Sequence, residues 1–213
     1  MKLFFKVVFM SKLYLKKINL TGYKNFSKST TVELQENLNI VFGPHGCGKS
    51  NLFSAINWVL FDNKTAKEVI DSIVFHGNDV DKKTDFAEVS LFYGENSEPS
   101  DEDIIITRRL ERNGNENFFL NKIQLSDFES YKEKISNLHL SEVCFLDDFD
   151  KDKKHRKALK IYSDIELRRQ GKQAIVVLTR VKNIKKHTTG GLIGITGNEG
   201  LPKVVCLNVF SEF

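Results

Sequence analysis

Apolar positions along this chain recur mostly at a period of two, in short segments separated by polar turns. Tyr14–Leu20 (YLKKINL), Thr30–Leu34, Phe86–Tyr93 (FAEVSLFY) and Asp103–Leu110 (DIIITRRL) alternate or run apolar as strands do. Leu38–Phe42 and Gln173–Leu178 are nearly continuous apolar runs, the pattern of buried strands. Asn113-Gly114, a strong turn dipeptide, closes a hairpin between 103–110 and a strand expected over Asn117–Ile123. Helical spacing is confined to Leu52–Leu60, a continuation over 64–71, a short polar stretch within Leu125–Leu140, and a basic stretch after 150. Ser72–Gly77 reads as a strand ending at a turn. Further strands are expected over Glu142–Asp148 and, after the turn Thr189-Gly190-Gly191, over Leu192–Thr196 and Lys203–Val209. The pattern predicts an α/β chain, β-rich around one amphipathic helix.

Between the apolar run 38–42 and the helix 52–60 lies GPHGCGKSN, comprising Gly43, Pro44, His45, Gly46, Cys47, Gly48, Lys49, Ser50 and Asn51. Strand, GxxxxGK[ST] and helix in that order make a phosphate loop: backbone N–H groups and the helix N-terminus surround phosphate oxygens. Lys49 reaches the β- and γ-phosphates, and the Ser50 hydroxyl is placed for Mg²⁺. ATP or GTP is the expected ligand. His45 and Cys47 fill variable positions. The strand 142–148 ends in Asp147 and Asp148, and a carboxylate there is the usual companion of a phosphate loop, meeting the metal beside the nucleotide. A buried strand ending in a solvated acidic turn is the competing reading of the same residues.

The 213 residues suffice for one domain of two lobes. Cys47, Cys144 and Cys206 are widely spaced, which fits a reducing compartment and no disulfide framework. No HExxH or cysteine pair supports zinc, so Mg²⁺ is the one metal expected. Met1–Met10 is too short in its apolar stretches for a signal-peptide core or a membrane span; an extended leader or first strand is expected, and translation starting at Met10 fits equally. No transmembrane segment is expected elsewhere, which places the protein in solution inside the cell. Charge changes sign along the chain: residues 1–150 are net −5, whereas 151–187 are net +10. In the basic block Ala158, Ile161, Tyr162 and Ile165 share a helical face, leaving Lys154, Lys157, Lys160, Arg168 and Arg169 to face outward. That cationic face suits nucleic-acid phosphates, and it equally suits a solvated surface helix.

The order of these pieces resembles the head of a structural-maintenance-of-chromosomes (SMC) ATPase, of the ABC-type P-loop class. The resemblance is carried by GYKNF (22–26), GPHGCGKSN, SIVFHG (72–77), Ala87-Glu88-Val89 and Thr107-Arg108-Arg109, then FLDDFD (145–150), HRKA (155–158), QAIVVLTR and IGITGNEGLPKVVCLNV. HRKA and FFLN (118–121) lean toward the cohesin-type subunit. The resemblance implies a P-loop NTPase fold of the ABC/SMC head type, a two-lobed mixed β-sheet with flanking helices. An N-terminal lobe would span 1–127, a short connector 128–141 and a C-terminal lobe 142–213. It implies ATP and Mg²⁺ as cofactors, with Lys24 and Asn25 joining the loop in nucleotide contact. Ser50 and Asp147 would hold the metal, and Asp148 and Lys49 would be catalytic. Implied partners are a second SMC-type head and chromosomal DNA through 151–187, with no membrane. The implied location is the nucleus and chromosome of a eukaryote or the cytoplasm and nucleoid of a prokaryote.

Departures from the family bear on catalysis. The connector stands where the family inserts its coiled coil, hinge, glutamine loop and LSGG signature, so two copies of this chain would not build a complete composite site. Asp148 stands where the family has a catalytic Glu, and a displacement of about 1 Å in a catalytic group can lower a rate about a hundredfold. Arg180 takes the switch-histidine position, and Gly114 and Asn115 replace the lysine pair of the cohesin-type hairpin. Three readings follow: a reduced SMC-like head whose turnover depends on a partner, a non-catalytic nucleotide-binding protein derived from such a head, and a small P-loop kinase or GTPase. The last lacks an arginine-rich lid and an NKxD element.

Overall fold

The computed structural model describes residues 13–36, 38–42, 47–62, 66–95, 100–138, 140, 143–147, 173–178, 192–196 and 203–207. Eleven strands and three helices are formed within them. The first strands are β1 (Tyr14–Thr21), β2 (Thr30–Glu33) and β3 (Leu38–Phe42), followed by α1 (Lys49–Leu60) and α2 (Ala66–Ile73). Then come β4 (Phe86–Gly94), β5 (Ile104–Glu111), β6 (Glu116–Leu120), β7 (Ile123–Leu125) and α3 (Phe128–Ser136). The C-terminal part contributes β8 (Val143–Asp147), β9 (Gln173–Leu178), β10 (Leu192–Thr196) and β11 (Lys203–Leu207).

Alternation along β1, β4 and β5 produces one wet and one dry face. Ile18, Leu20, Ala87, Val89, Leu91, Tyr93, Ile106 and Leu110 are buried, while Asn19, Ser90 and Thr107 are half-covered on the other side. These strands form an antiparallel sheet in the order β2-β1-β4-β5-β6-β7. Helix α1 lies against β4 and β5, burying Leu52, Ala55, Ile56, Trp58 and Val59. A register shift between Leu15 and Lys17 lets Lys16 turn inward, where its ammonium meets Asp103 at 2.8 Å. Asp127 caps α3 by accepting from the Ser130 N–H at 2.8 Å.

A second sheet has the order β10-β11-β3-β9-β8. β3 is its central strand, antiparallel to β11 and parallel to β9, and β8 pairs parallel to β9. The phosphate-loop strand is therefore completed on both sides by the C-terminal part of the chain. Gln173, at the head of β9, also joins the two sheets. Its amide donates to the Leu15 carbonyl at 2.7 Å and the Gln35 carbonyl at 2.8 Å and accepts from the Leu15 N–H at 3.0 Å. Gln173→Leu would leave these backbone groups without partners in a buried place. A loss of about 3 kcal/mol is expected, seen in thermal unfolding as a fall of about 6–12 °C.

Three expected elements differ. Ser72–Gly77 is not a strand: α2 runs to Ile73, and Val74 makes a single bridge to Tyr23. Val69 and Ile73, four apart, both reach the core and extend the helical period past Ser72. The strand expected over 117–123 is two strands, because Asn121 and Lys122 both adopt left-handed backbone, φ 49° and 67°, and turn the chain back into β7. The helix expected within 125–140 is the shorter α3. Among the described residues no helix is long and apolar enough to cross a membrane. Met1–Met10 and the turn at 189–191 lie outside the described residues.

Candidate nucleotide-binding site

β3 delivers the chain to the phosphate loop and α1 carries it away. Gly43, Pro44, His45 and Gly46 lie outside the described residues, as do Asp148 and the basic segment apart from β9. The second half of the loop is described. Gly48 is the N-cap of α1 in left-handed backbone, φ 96° and ψ 17°, a conformation that glycine adopts without a Cβ penalty. Being glycine, it offers no side chain to the first N–H groups of α1, and the first turn holds no acidic residue. The start of the helix thus has no side-chain cap and offers the positive end of its dipole with no acidic residue in the first turn, which is the chemistry a phosphate needs.

Lys49 follows at once. Its side chain is mostly buried, with Nζ 3.9 Å from the Cys47 sulfur, folded back over the loop that precedes it. Ser50 is exposed at the first turn and Asn51 is half-buried. The sheet brings a second element near: β8 ends at Asp147, two strand positions from β3 with β9 between them, so the strand axes stand about 10 Å apart. Val177 of β9 pairs with both Val41 of β3 and Asp147 of β8, which sets the end of the carboxylate strand level with the end of the phosphate-loop strand. This donor set of a helix-start hydroxyl and a strand-end carboxylate consists of hard oxygens and fits Mg²⁺.

The GYKNF turn, which follows β1, leans on the loop through Asn25. Tyr23 and Phe26 close a tight turn, with the Phe26 N–H donating to the Tyr23 carbonyl at 2.8 Å and Lys24 left-handed at φ 50°. Gly22 has φ 64°, and a Cβ there would lie 2.0 Å from the Phe86 carbonyl oxygen, so no other residue fits. Tyr23 stacks on Trp58, centroids 5.5 Å apart, and its hydroxyl shares a 2.7 Å hydrogen bond with Ser54. Burial pushes the Tyr23 phenol well above its ordinary value. Asn25 donates to the Cys47 carbonyl at 2.9 Å and accepts from the Asn51 amide at 2.7 Å.

Partial burial lowers the Lys24 ammonium below the ordinary lysine value of 10.5, against the opposing pull of Asp62. Between the lowered pKa and 10.5 the unfolded chain holds the proton more firmly than the folded one, so stability rises with pH across that window. Below it the burial penalty is present in full. Lys24→Met is therefore expected to raise the thermal midpoint at pH 7, with the gain shrinking as pH approaches 10.5. A melting series over pH for both proteins checks the sign.

The far end of α1 is tied down by residues that motif reading did not select as site residues. Arg108 donates to the Trp58 and Asp62 carbonyls at 2.6 and 2.7 Å and pairs with Glu116 at 2.7 Å. Tyr131 of α3 donates to the Val59 carbonyl at 2.9 Å. The signal for Arg108 was its place in the inward phase of β5, between Ile106 and Leu110.

Residues 14–143 match the family model described as the RecF/RecN/SMC N-terminal domain. The chromosome partition protein Smc of Desulfitobacterium hafniense is 37% identical over 117 residues, covering 52% of this chain and 10% of that protein. The protein of the same name from Bacillus subtilis is 33% identical over 116 residues, covering 51% and 10%. The chain thus aligns with about a tenth of the length of these relatives. Among solved structures, the SMC head domain from Thermotoga maritima superposes with a TM-score of 0.60 at 19% identity, covering 92% of this chain and all of that one. An SMC head bound to the C-terminal winged-helix domain of ScpA gives 0.64 at 16% identity, covering 90% and 97%. These two likenesses establish the fold.

Proposed function

Since the chain belongs to the RecF/RecN/SMC N-terminal-domain family, we propose that it is an SMC-type ATP-binding head that works in chromosome organisation. The observation that carries the reading is the start of α1: a left-handed Gly48, an uncapped first turn and a buried Lys49, with the end of β8 level with the end of β3. Gly43 to Asn51 bind the phosphates, Lys24 adds its charge from the adjoining turn, Asn25 acts through the Cys47 carbonyl that it holds, and Ser50 and Asp147 would hold Mg²⁺. The ion screens the phosphate charge when bound. Lys49 holds the terminal phosphates, and Asp148 orients the attacking water. The lobes are 1–127 and 142–213, joined by the connector 128–141.

Turnover depends on a partner head, because the connector carries no segment like the family's LSGG signature. The basic segment 151–187 contacts duplex DNA, and the place of action is the chromosome, the nucleoid in a prokaryotic cell. FFLN and HRKA support a cohesin-type subunit; the two relatives described above are chromosome partition proteins, and chromosome organisation is common to both. Steady-state ATP turnover by the chain alone and with a complete SMC head tests the reading. Expected are near-background turnover alone and a severalfold rise with the partner that Lys49→Ala abolishes. ATP binding with no turnover in either case would support the non-catalytic alternative. DNA affinity should fall steeply with salt, and a flat salt dependence would count against the basic segment.

A further inference from the structure

We propose that Asn25 is a positioning residue of the nucleotide site: through the Cys47 carbonyl it aims the Gly48 N–H at the phosphate. This rests on the nucleotide-binding reading above. In a planar trans peptide the C=O and the following N–H point in opposite directions. Asn25 Nδ2 donates to the Cys47 carbonyl oxygen at 2.9 Å. Holding that carbonyl toward the GYKNF turn forces the N–H of the same peptide, which belongs to Gly48, to the opposite side. The next peptide is fixed too, because the Gly48 carbonyl accepts from the Asn51 N–H at 2.9 Å, which directs the Lys49 N–H back out of the helix. A Gly48 N–H so oriented, at the start of a helix, is placed to donate to an anion.

The chemistry at Asn25 is directional. A carbonyl only accepts, so the amide nitrogen must face Cys47, and Oδ1 is left to accept from Asn51 Nδ2 at 2.7 Å. Asn51 thereby locks the orientation of Asn25. The turn that carries Asn25 is itself immobilised: the Lys24 N–H donates to the Ile73 carbonyl at 2.6 Å and the Phe75 N–H to the Gly22 carbonyl at 2.8 Å. The clamp also explains the residue at 48, since a Cβ there would lie 2.3 Å from Asn25 Nδ2. A free loop could turn the Cys47 carbonyl inward and present oxygen to oxygen; the asparagine removes that state before the nucleotide arrives.

The test uses the full chain labelled with [15N]glycine and titrated with ATP and Mg²⁺, comparing the native protein with Asn25→Ala, Asn25→Asp and Lys49→Ala. The native Gly48 amide resonance should shift on binding. In Asn25→Ala the resonance of the nucleotide-free protein should already be displaced or broadened, with affinity reduced about 10–100-fold, the loss expected for hydrogen bonds to a charged group. Its thermal midpoint should stay within a few degrees of native. Asn25→Asp is isosteric but puts oxygen against the Cys47 carbonyl, so it should show the same displaced resonance, with an affinity loss that high salt does not restore. Lys49→Ala should lose affinity while its nucleotide-free Gly48 resonance stays sharp, moved from the native position only by the nearest-neighbour effect of the substitution. Native-like affinity and Gly48 resonance in Asn25→Ala or Asn25→Asp would overturn the proposal while leaving nucleotide binding in place. Failure of the folded native chain to bind would overturn the nucleotide reading and this inference with it, an outcome the native titration identifies by itself.

Discussion

Arg108→Met is expected to destabilise the fold by about 3–5 kcal/mol, a large share of the 5–15 kcal/mol typical of a domain. The guanidinium is only 1% exposed and carries three hydrogen-bonded contacts, to Glu116 and to the carbonyls of Trp58 and Asp62. Three rings, Trp58, Phe118 and Phe128, surround it with centroids 5.0–5.5 Å away. Methionine would fill much of the volume but leave the Glu116 carboxylate without its partner and the two carbonyls at the end of α1 without donors. It would also remove the cation from the negative end of the helix dipole. Thermal unfolding should fall by about 6–20 °C. Arg108→Lys should lie between, keeping the charge without the planar group whose Nη1 reaches both carbonyls while Nε holds Glu116. Adding Glu116→Gln to Arg108→Met should recover part of the loss, since it removes the unpaired charge; a double variant no better than the single one would show that packing, not charge, dominates here.

Gly48→Ala is expected to act on the ligand more than on the fold. The left-handed φ of 96° costs an alanine about 1–2 kcal/mol. Its Cβ would also push into Asn25 at 2.3 Å, breaking the two hydrogen bonds by which that residue holds the loop. A phosphate cradle displaced by about 1 Å can lose about a hundredfold in function. ATP affinity, read by fluorescence titration, should therefore collapse while the thermal midpoint drops by less than in Arg108→Met. Full affinity in Gly48→Ala would mean that the loop tolerates another path.

The sequence pattern located the strands well because their alternation is tied to one buried face, as in β4, where Ala87, Val89, Leu91 and Tyr93 are fully buried. It failed where local preference is ambiguous. Ser72–Gly77 has the composition of a strand, yet burial of Val69 and Ile73 extends the helix. Asn121-Lys122 turns the chain without glycine, and lysine carries no turn signal. The phosphate loop was legible because its chemistry is local in sequence. The bonds that hold the loop were not: Asn25 and Asn51 were expected in nucleotide contact, but their hydrogen bond to each other spans 26 residues, and Gln173 reaches Leu15 across 158. Gln173 looks like an ordinary amide at the start of a strand until the backbone groups it satisfies are known.

The nucleotide seat stands or falls on isothermal titration of ATP with Mg²⁺ into the full native chain, beside Lys49→Ala of matched thermal midpoint. Saturable binding of one nucleotide per chain, weakened at least about tenfold in Lys49→Ala by loss of the charge-assisted contact to phosphate, is the expected result. Equal binding by the two proteins, or no binding by the folded native chain, would contradict it.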